Sequence, residues 1–273
     1  MKVKIAVVQF KSKQFSPEEN LKKTEKFIRK AAKLKADMIV FPEDFISGTV
    51  FVRKEFVDFS GKYRKYFQNL ARKYRIDVIP GSIIEGDKKG WYNVCYYINS
   101  KGEIIASYKK INLWHSERKY LKFGNKVCVF DTKYGRIGLI ICWDLAFSEI
   151  FREMARKGVE IVICPSCWSY EDAEIGLDYD KNAGLKLVDS LCVARAFENE
   201  IVMVFCNSAG KLEDNKFIDN RLGHSQIAVP FKGAVKRLNH NREEMFIQEV
   251  DTNILKDAEK VYKIRKDLKK RIF

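Results

Sequence analysis

Short apolar runs alternate along this chain with longer stretches in which apolar residues recur at helical spacing. The short runs lack regular polar alternation, so they predict strands that are buried on both faces. We predict strands at residues 4–10, 37–41, 77–82, 92–99, 103–108, 127–131, 136–141, 160–164, 201–207, 223–229 and 245–250. We predict helices at residues 16–35, 56–74, 146–157 and 185–197, followed by a C-terminal helical tail at 252–273.

The alternation of strands and helices indicates the α/β class, with sheets that are covered by helices. Two predicted strand pairs, within residues 92–108 and 127–141, interrupt this alternation and fit a simple doubly wound sheet poorly. The 273 residues show no break in composition and no internal repeat. We therefore expect residues 1–273 to form a single domain, with 252–273 as its helical tail.

Hydrophobic residues make up 46% of the chain, which is enough for a sizeable core. The sequence has no apolar run of the about 18 residues that indicate a transmembrane helix. The apolar run at residues 4–10 is short and lacks a small-residue cleavage site, so it indicates a first strand rather than a signal peptide. These features predict a cytoplasmic protein that does not contact a membrane.

The formal net charge of +15 could indicate a nucleic acid or an anionic membrane as partner. The basic residues are scattered, however, and acidic residues lie among them. The densest excess is at residues 252–273, with eight Lys or Arg against three Asp or Glu, and its apolar residues keep helical spacing. This pattern favours the solvated face of a docked amphipathic helix, and without a recognition motif we expect no nucleic-acid partner.

The seven cysteines lie at positions 95, 128, 142, 164, 167, 192 and 206, mostly in apolar runs. In a cytoplasmic protein these thiols are expected to be reduced, and a buried free cysteine usually packs as a small hydrophobe. Cys142 has a different setting, because it lies between the buried strand 136–141 and the helix predicted from Ala146. Such a strand–turn–helix elbow holds a nucleophile clear of the sheet and beside backbone N–H groups.

Two further side chains that can carry chemistry also follow predicted strands. Glu43 follows Val40-Phe41-Pro42, and Lys110 follows the strand that ends at Tyr108. Because open α/β folds place their sites at strand ends, a carboxylate, an amine and a thiol in these positions predict a catalytic site. Each residue alone has an ordinary structural explanation, as a capping acid, a surface lysine or a packed thiol.

A thiol nucleophile needs a base, and its usual partner is histidine. None of His115, His224 and His240 follows a strong predicted strand, although His115 lies near Lys110. A buried carboxylate can act as the base instead. A lysine ammonium and the backbone N–H after the nucleophile can hold the oxyanion that forms when an amide is attacked.

Six local sequences resemble the nitrilase superfamily, the carbon–nitrogen hydrolases, and they occur in family order across residues 3–250. They are Val40-Phe41-Pro42-Glu43, Tyr108-Lys109-Lys110-Ile111-Asn112-Leu113-Trp114, Gly138-Leu139-Ile140-Ile141-Cys142-Trp143-Asp144, Phe147-Ser148-Glu149, Ala194-Arg195-Ala196-Phe197-Glu198-Asn199 and Gly223-His224-Ser225. One such fragment would be weak evidence, whereas six in order are a specific match.

The resemblance implies a Glu–Lys–Cys triad, which falls on Glu43, Lys110 and Cys142. It implies that Glu117 positions Lys110 or the substrate, and that the backbone N–H of Trp143 helps to hold the oxyanion. The implied fold is a four-layer α-β-β-α sandwich, which accounts for the paired strands. The resemblance further implies a homodimer or higher homo-oligomer that hydrolyses a small amide, carbamoyl or nitrile substrate without a cofactor or metal.

Four positions depart from patterns seen in the family. Ala146 and Ser148 stand where Arg and Pro are common, which affects the start of the helix after the nucleophile rather than the triad. Trp143 stands where many members have Tyr, and only its backbone N–H is needed. Asp144 stands where true nitrilases tend to have Glu, which mildly favours an amide over a nitrile as substrate.

Other motifs are less specific. Cys164-Pro165-Ser166-Cys167 has CxxC spacing, but no second cysteine pair completes a zinc site and a thioredoxin-like context is missing. Trp168 lies where family members often place a substrate-contacting side chain, although core packing also explains it. The expected structural partners near the site are Arg195, Glu198 and Asn199. The sequence has no P-loop, GxGxxG or HExxH pattern, so we expect no nucleotide cofactor and no metal.

The main hypothesis is an amidase-type hydrolase in which Glu43 takes the thiol proton as Cys142 attacks a carbonyl carbon. Nitrile hydrolysis by the same residues and a non-catalytic binding protein on the same fold stay open. We expect the loops at 47–52, 117–123 and 168–180 to shape the pocket. The last loop is acidic, which fits either a cationic, amine-bearing substrate or solvated loop charge; its acids are Glu171, Asp172, Glu174, Asp178 and Asp180.

Overall fold

The computed structural model describes residues 1–48, 53–214 and 217–270. Its strands are β1 (Lys2–Gln9), β2 (Met38–Val40), β3 (Asp77–Ile79), β4 (Ser82–Asp87), β5 (Gly90–Ile98), β6 (Ile104–Lys109), β7 (Cys128–Thr132), β8 (Gly135–Leu139), β9 (Ile161–Pro165), β10 (Val202–Cys206), β11 (Lys211–Asp214), β12 (Phe217–Asn220), β13 (Gln226–Val229), β14 (Gly233–Arg237) and β15 (Glu244–Asp251). Its α-helices are α1 (Pro17–Lys33), α2 (Lys62–Tyr74), α3 (Ser148–Arg156), α4 (Gly176–Tyr179), α5 (Ala183–Glu198), α6 (Asn253–Tyr262) and α7 (Ile264–Lys270).

The strands form two large sheets and one separate hairpin. The first sheet has the order β15-β1-β2-β3-β5-β4, with β6 also paired to β5, and the second has the order β14-β13-β10-β9-β8-β7. Parallel pairs lie inside each sheet, where β2 joins β1 to β3 and β9 joins β8 to β10. Antiparallel strands flank them, and β11 and β12 pair only with each other.

Strand β1 shows how the layers are stacked, because its side chains alternate between two cores. Ile5 and Val7 join the core between the sheets, which includes Leu139 of β8. Ala6 and Val8 face the opposite side and join the core that contains residues of α1 and α2. Helices α3 and α5 contribute to the core of the second sheet, and α5 contacts β10 and β13. The stacking confirms the predicted four-layer α-β-β-α sandwich.

The second helix begins later than predicted, at Lys62 rather than near residue 56. The carboxylate of Asp58 explains the shift, because it accepts hydrogen bonds from the backbone N–H groups of Gly61 at 2.8 Å and Tyr63 at 2.9 Å. An aspartate that satisfies these N–H groups fixes the start of a helix. The apolar residues before Asp58 therefore belong to the approach to α2 and not to its first turns.

Other differences concern short elements. Residues Cys142–Ala146 form a 3₁₀ turn, and the helix predicted from Ala146 begins only at Ser148. Strands β4, β11, β12 and β14 were not predicted, because their sequences contain many charged residues and glycines. The prediction of a single domain at residues 1–273 stays a prediction.

The C-terminal tail is two helices rather than one. It breaks at Lys263, whose φ of 58° is left-handed, so α7 leaves α6 in a new direction. The Arg265 guanidinium anchors α7 by donating at 2.6 Å to the carbonyl oxygens of Val159 and Glu200. The predicted end of the tail at 271–273, and residues 49–52 of the predicted pocket loop, lie outside the described residues. Among the helices of the described ranges, none has the length and apolar character that a bilayer crossing requires.

Candidate active site

The three side chains predicted at strand ends meet in one buried place between the two sheets. Glu43 and Lys110 follow β2 and β6 of the first sheet, whereas Cys142 follows β8 of the second. The Nζ atom of Lys110 lies 2.8 Å from Oε1 of Glu43. The Cys142 sulfur lies within 4.8 Å of the Glu43 carboxylate. A carboxylate, an ammonium and a thiol therefore share one site.

The position of Glu43 is fixed by its backbone and by its neighbour Asn93. The backbone N–H of Glu43 donates to the carbonyl of Ser166, which follows β9, at 3.3 Å. Asn93 on β5 donates through Nδ2 to Oε1 of Glu43 at 2.8 Å. Gly81, with φ of 65°, lies against the Pro42 carbonyl so closely that a Cβ atom would come within 1.8 Å of its oxygen. Only glycine allows this close approach just before Glu43.

Lys110 is 1% exposed, and its ammonium is held between two carboxylates. It lies 2.8 Å from Glu43 and 2.7 Å from Oε2 of Glu117. Glu117 also accepts hydrogen bonds from the backbone N–H of Trp114, at 2.7 Å, and from Nδ2 of Asn93, at 3.0 Å. Burial lowers the pKa of Lys110, but the charges of Glu117 and Glu43 outweigh burial and raise it well above its usual value. Lys110 therefore stays charged.

Cys142 lies at a strained turn. Its φ of 48° is left-handed, a conformation that non-glycine residues rarely adopt outside constrained sites. The carboxylate of Asp144 holds this turn, since Oδ2 accepts the backbone N–H of Ile141 at 3.0 Å and the Tyr108 hydroxyl at 2.7 Å. Oδ1 accepts the backbone N–H of Asn112 at 2.8 Å. Asp144 thus ties the elbow to the segment that carries Lys110.

The proton between the thiol and the base resides on sulfur in the resting state. Burial raises the pKa of Cys142 to about 12. Burial acts in the same direction on Glu43, but the charge of Lys110 and hydrogen bonds from Cys167 and Lys110 outweigh it and hold the pKa of Glu43 below its usual value. The resting pair is therefore a neutral thiol beside an ionised carboxylate.

The backbone after the nucleophile is suited to bind a negative oxygen. Trp143 is the second residue of the 3₁₀ turn that begins at Cys142. Backbone N–H groups in the first turn of a helix have no acceptor within that helix. The Trp143 N–H and the Lys110 ammonium are the two donors that the sequence suggested for an oxyanion.

A cavity of about 320 Å³ opens onto these residues. Trp114, Trp143 and Trp168 line it, with ring centroids 4.5 Å apart for Trp114 and Trp143 and 5.4 Å apart for Trp143 and Trp168. Within the described residues, the buried indole N–H groups of Trp143 and Trp168 have no hydrogen-bond partner. Trp168 thus packs against aromatic neighbours and also lines the cavity, and its contact with a substrate stays a prediction.

Carboxylates dominate the rest of the lining. Of the predicted acidic loop, Glu171, Asp172 and Glu174 line the cavity, whereas Asp178 and Asp180 do not. Asp219 from the unpredicted β11–β12 hairpin joins them, and its Oδ2 pairs with Arg221 at 2.9 Å. In the described part of the chain, seven carboxylates line the cavity, together with two side chains that carry a permanent positive charge, Lys110 and Arg221. The seven acids are Glu43, Asp44, Glu117, Glu171, Asp172, Glu174 and Asp219.

Sequence reasoning missed four side chains at this site, namely Asn93, Cys167, Asp219 and Arg221. Asn93 could have been found, because it is a polar residue within an apolar strand. The Cys167 thiol donates to Oε2 of Glu43 at 3.0 Å, and the buried Arg221 donates to the Cys167 carbonyl. Cys164, the other member of the CxxC motif, is buried in the core, with its sulfur 3.3 Å from the Ser166 hydroxyl.

The histidines have other partners. His224 contacts Asp189 at 3.2 Å, His240 contacts Glu244 at 3.1 Å, and His115 stacks on Trp114 at the cavity wall. Arg195 supports the end of the elbow, with guanidinium bonds of 3.2 Å to the carbonyl oxygens of Leu145 and Ala146. It also pairs with Glu198 at 2.6 Å, and Asn199 donates to the Arg195 carbonyl. These contacts are structural, as the sequence predicted.

The sequence profile of the family described as carbon–nitrogen hydrolase matches residues 4–260. This chain therefore belongs to the carbon–nitrogen hydrolases of the nitrilase superfamily, as the sequence predicted. Its relatives are amidases, nitrilases and hydrolases, and the chain is an enzyme of this carbon–nitrogen hydrolase type.

Two relatives and one solved structure illustrate the match. A Schizosaccharomyces pombe protein named "probable nitrilase" is 32% identical over 272 residues, which cover 96% of this chain and 93% of that protein. The 2-oxoglutaramate amidase of Bacillus subtilis is 28% identical over 277 residues, which cover 100% of both chains. The crystal structure of Saccharomyces cerevisiae Nit3, a member of branch 10 of the nitrilase superfamily, matches with a TM-score of 0.79 and 27% identity, covering 95% of this chain and 93% of that one.

We expect alkylation of Cys142 by iodoacetamide to depend on Glu43 rather than on a standing thiolate. In the wild-type protein the ionised Glu43 accepts the thiol proton, so the rate should change little between about pH 6 and about pH 8. In Glu43→Gln the proton acceptor is gone and only the thiolate reacts, so the rate should rise with pH as the buried thiol ionises, by up to about tenfold per pH unit.

Peptide mapping by mass spectrometry measures this rate and separates Cys142 from Cys167. The matched control is Glu149→Gln, which changes an exposed glutamate of α3 and should keep the wild-type pH profile. A wild-type rate that also rises about tenfold per pH unit would contradict the role of Glu43 as proton acceptor.

Proposed function

We propose that this enzyme is an amidase that cleaves a small carboxamide or N-carbamoyl substrate through a thioester on Cys142. The observation that carries the proposal is the shared site of Glu43, Lys110 and Cys142, with Lys110 held 2.8 Å from Glu43. An ionised carboxylate beside a neutral thiol can take the thiol proton as the sulfur attacks an amide, which is one established way to activate a nucleophile. Homologues named as amidases support the same reaction class.

In the first half of the reaction, Cys142 attacks the carbonyl carbon while its proton passes to Glu43. The carbonyl oxygen becomes an oxyanion and accepts hydrogen bonds from the Trp143 N–H and the Lys110 ammonium. Glu43 then gives the proton to the leaving nitrogen, and ammonia or an amine departs. The product of this half is an acyl thioester on Cys142.

In the second half, water replaces the amine in the cavity. Glu43, ionised again, takes a proton from this water as its oxygen attacks the thioester carbon. The same two donors hold the second oxyanion, the carbon–sulfur bond breaks, and the proton returns to the Cys142 sulfur. Glu117 acts throughout by holding Lys110, at 2.7 Å, in place.

Nitrile hydrolysis is the nearest alternative, since it could use the same nucleophile. The Asp144 carboxylate accepts hydrogen bonds from Ile141, Tyr108 and Asn112, so this turn is built around an aspartate. Nitrilases tend to have glutamate at this position. A non-catalytic binding role would not require a nucleophile, a base and an ammonium in one place. The predicted homodimer and cytoplasmic location stay predictions.

We expect Cys142→Ala to lower ammonia release from hexanamide by at least about 1,000-fold. In the proposed mechanism the Cys142 sulfur is the group that displaces nitrogen from the carbonyl carbon, and alanine has no atom that can do so. The measurement is steady-state ammonia release, with Cys128→Ala as the control that removes a half-buried thiol outside the cavity. Hexanenitrile, run in parallel, should release far less ammonia. Undiminished turnover by Cys142→Ala would rule out the thioester route.

The charge of the cavity supports an amine-bearing substrate. Seven carboxylates face two basic side chains among the described lining residues, although the whole chain carries a net charge of +15. The Lys110 ammonium is already balanced by Glu43 and Glu117, and Arg221 by Asp219. The loop acids Glu171, Asp172 and Glu174 add further negative charge to the lining, and the indole faces also favour a cation. We therefore propose an amide with an ammonium group at its far end.

We expect kcat/KM for δ-aminovaleramide, which ends in an ammonium, to exceed that for hexanamide and for glutaric acid monoamide. Asp172→Asn should lower this preference about fivefold, because it removes one partly buried charge but keeps an acceptor for the Ser169 N–H. Burial raises the pKa of Asp172 to about 6, so the preference should weaken as the pH falls through this value.

The control is Asp178→Asn, which changes an exposed acid of the same loop outside the cavity lining. Equal losses of preference in both variants would point to long-range charge rather than to contact at the cavity. A wild-type preference for the carboxylate-ended amide would contradict the proposed substrate class, while leaving the amidase chemistry in place.

A further inference from the structure

Cys167 is a second thiol at the reacting atoms, and the proposed mechanism does not use it. Its sulfur lies 3.0 Å from Oε2 of Glu43, and it is within hydrogen-bonding reach of the Cys142 thiol. One carboxylate oxygen and the two sulfurs all lie within 4.8 Å of one another. All three residues line the same cavity. The site thus contains two potential thiolates and a carboxylate around one point.

We infer that Glu43, Cys142 and Cys167 form a binding site for a thiophilic divalent cation of the zinc type, which holds the enzyme in an inactive form. Zinc binds thiolate sulfur at about 2.3 Å and carboxylate oxygen at about 2.1 Å in a tetrahedron, so its ligands lie about 3.5 to 4 Å apart. The three ligand atoms already lie within this range or need shifts of about 1 Å. All three residues line the cavity, so water from the cavity would supply the fourth ligand.

The two carboxylate oxygens of Glu43 have different partners, so one of them can bind a cation while the other keeps its hydrogen bonds. Oε1 accepts from Lys110 and Asn93, both at 2.8 Å, whereas Oε2 faces Cys167. A cation on Oε2 therefore leaves the Lys110 ion pair in place. Two sulfur ligands favour zinc, cobalt or cadmium over magnesium or calcium, which prefer oxygen.

When the cation binds, it replaces the protons of the two thiols. The cation forms two metal–sulfur bonds and one metal–oxygen bond, and the Cys142 and Cys167 thiols release one proton each to solvent. The thiolates bind the metal, and the carboxylate oxygen of Glu43 completes the protein ligands. Because the cation occupies the nucleophile and the base at once, bound enzyme cannot attack an amide.

The CxxC motif did not reveal this site, because its two cysteines do not act together. Cys164 is buried in the core beside Ser166, and the partner of Cys167 is Cys142, which follows the neighbouring strand β8. The two cysteines of the proposed site, Cys142 and Cys167, are brought together at the ends of neighbouring strands and not by their spacing within one loop.

The test uses Co²⁺ as a probe on the reduced, chelator-treated full chain under anaerobic conditions. We expect one Co²⁺ per chain, with a near-ultraviolet thiolate-to-cobalt charge-transfer band that Zn²⁺ removes by competition. Cys142 and Cys167 should both be protected from iodoacetamide while the metal is bound, and a chelator should reverse the protection.

Cys167→Ala should weaken Co²⁺ binding by at least about 100-fold and reduce the charge-transfer band, whereas Cys128→Ala should match the wild type. Equal affinity in Cys167→Ala, or Co²⁺ binding without protection of Cys167 in the wild type, would overturn the site. Failure of iodoacetamide to label Cys142 and Cys167 in protein that contains no metal would also overturn the site, since that result indicates a disulfide between them. The readouts are metal binding and thiol labelling, so they do not depend on the proposed amidase activity.

Discussion

The buried Lys110 ammonium is the constraint on which the rest of the site depends. A charge that is 1% exposed is tolerated only because carboxylates lie 2.8 and 2.7 Å away, and those carboxylates belong to Glu43 and Glu117. The same ammonium keeps Glu43 ionised, which leaves the proton on the Cys142 sulfur. The mechanism we propose therefore differs from that of a thiolate–imidazolium pair, because in it the sulfur becomes charged only as its proton moves to Glu43 during attack.

The two-sheet architecture sets the distances within this group. Glu43 and Lys110 follow strands of the first sheet, and Cys142 and Cys167 follow strands of the second. The layer of side chains between the sheets thus fixes how far the base is from the thiol. Asp144 adds a polar connection across this junction, since it bonds the elbow at Ile141 and the segment near Lys110 through Asn112. A tightly packed core and a buried carboxylate together hold a strained turn in place.

The sequence predicted the parts of this protein that follow from local pattern. Buried strands were readable from their apolar runs, and Glu43, Lys110 and Cys142 stood out because each follows such a run. Residues that reach the site through long-range pairing were not readable in this way. Asp219 and Arg221 lie on and beside a charged hairpin that has no apolar signature. The contact of Cys167 with Glu43 and Cys142 was not predicted, because spacing along the chain does not report which strands are neighbours.

The central claim is that acyl groups pass through the sulfur of Cys142 and not through the thiol beside it. Rapid acid quenching of the enzyme during turnover of an amide, followed by peptide mass spectrometry, tests this claim directly. The account predicts an added mass equal to the acyl group on the Cys142 peptide, and none on the Cys167 peptide. Acylation of Cys167 instead, or continued turnover with no acylated cysteine at any quench time, would contradict it.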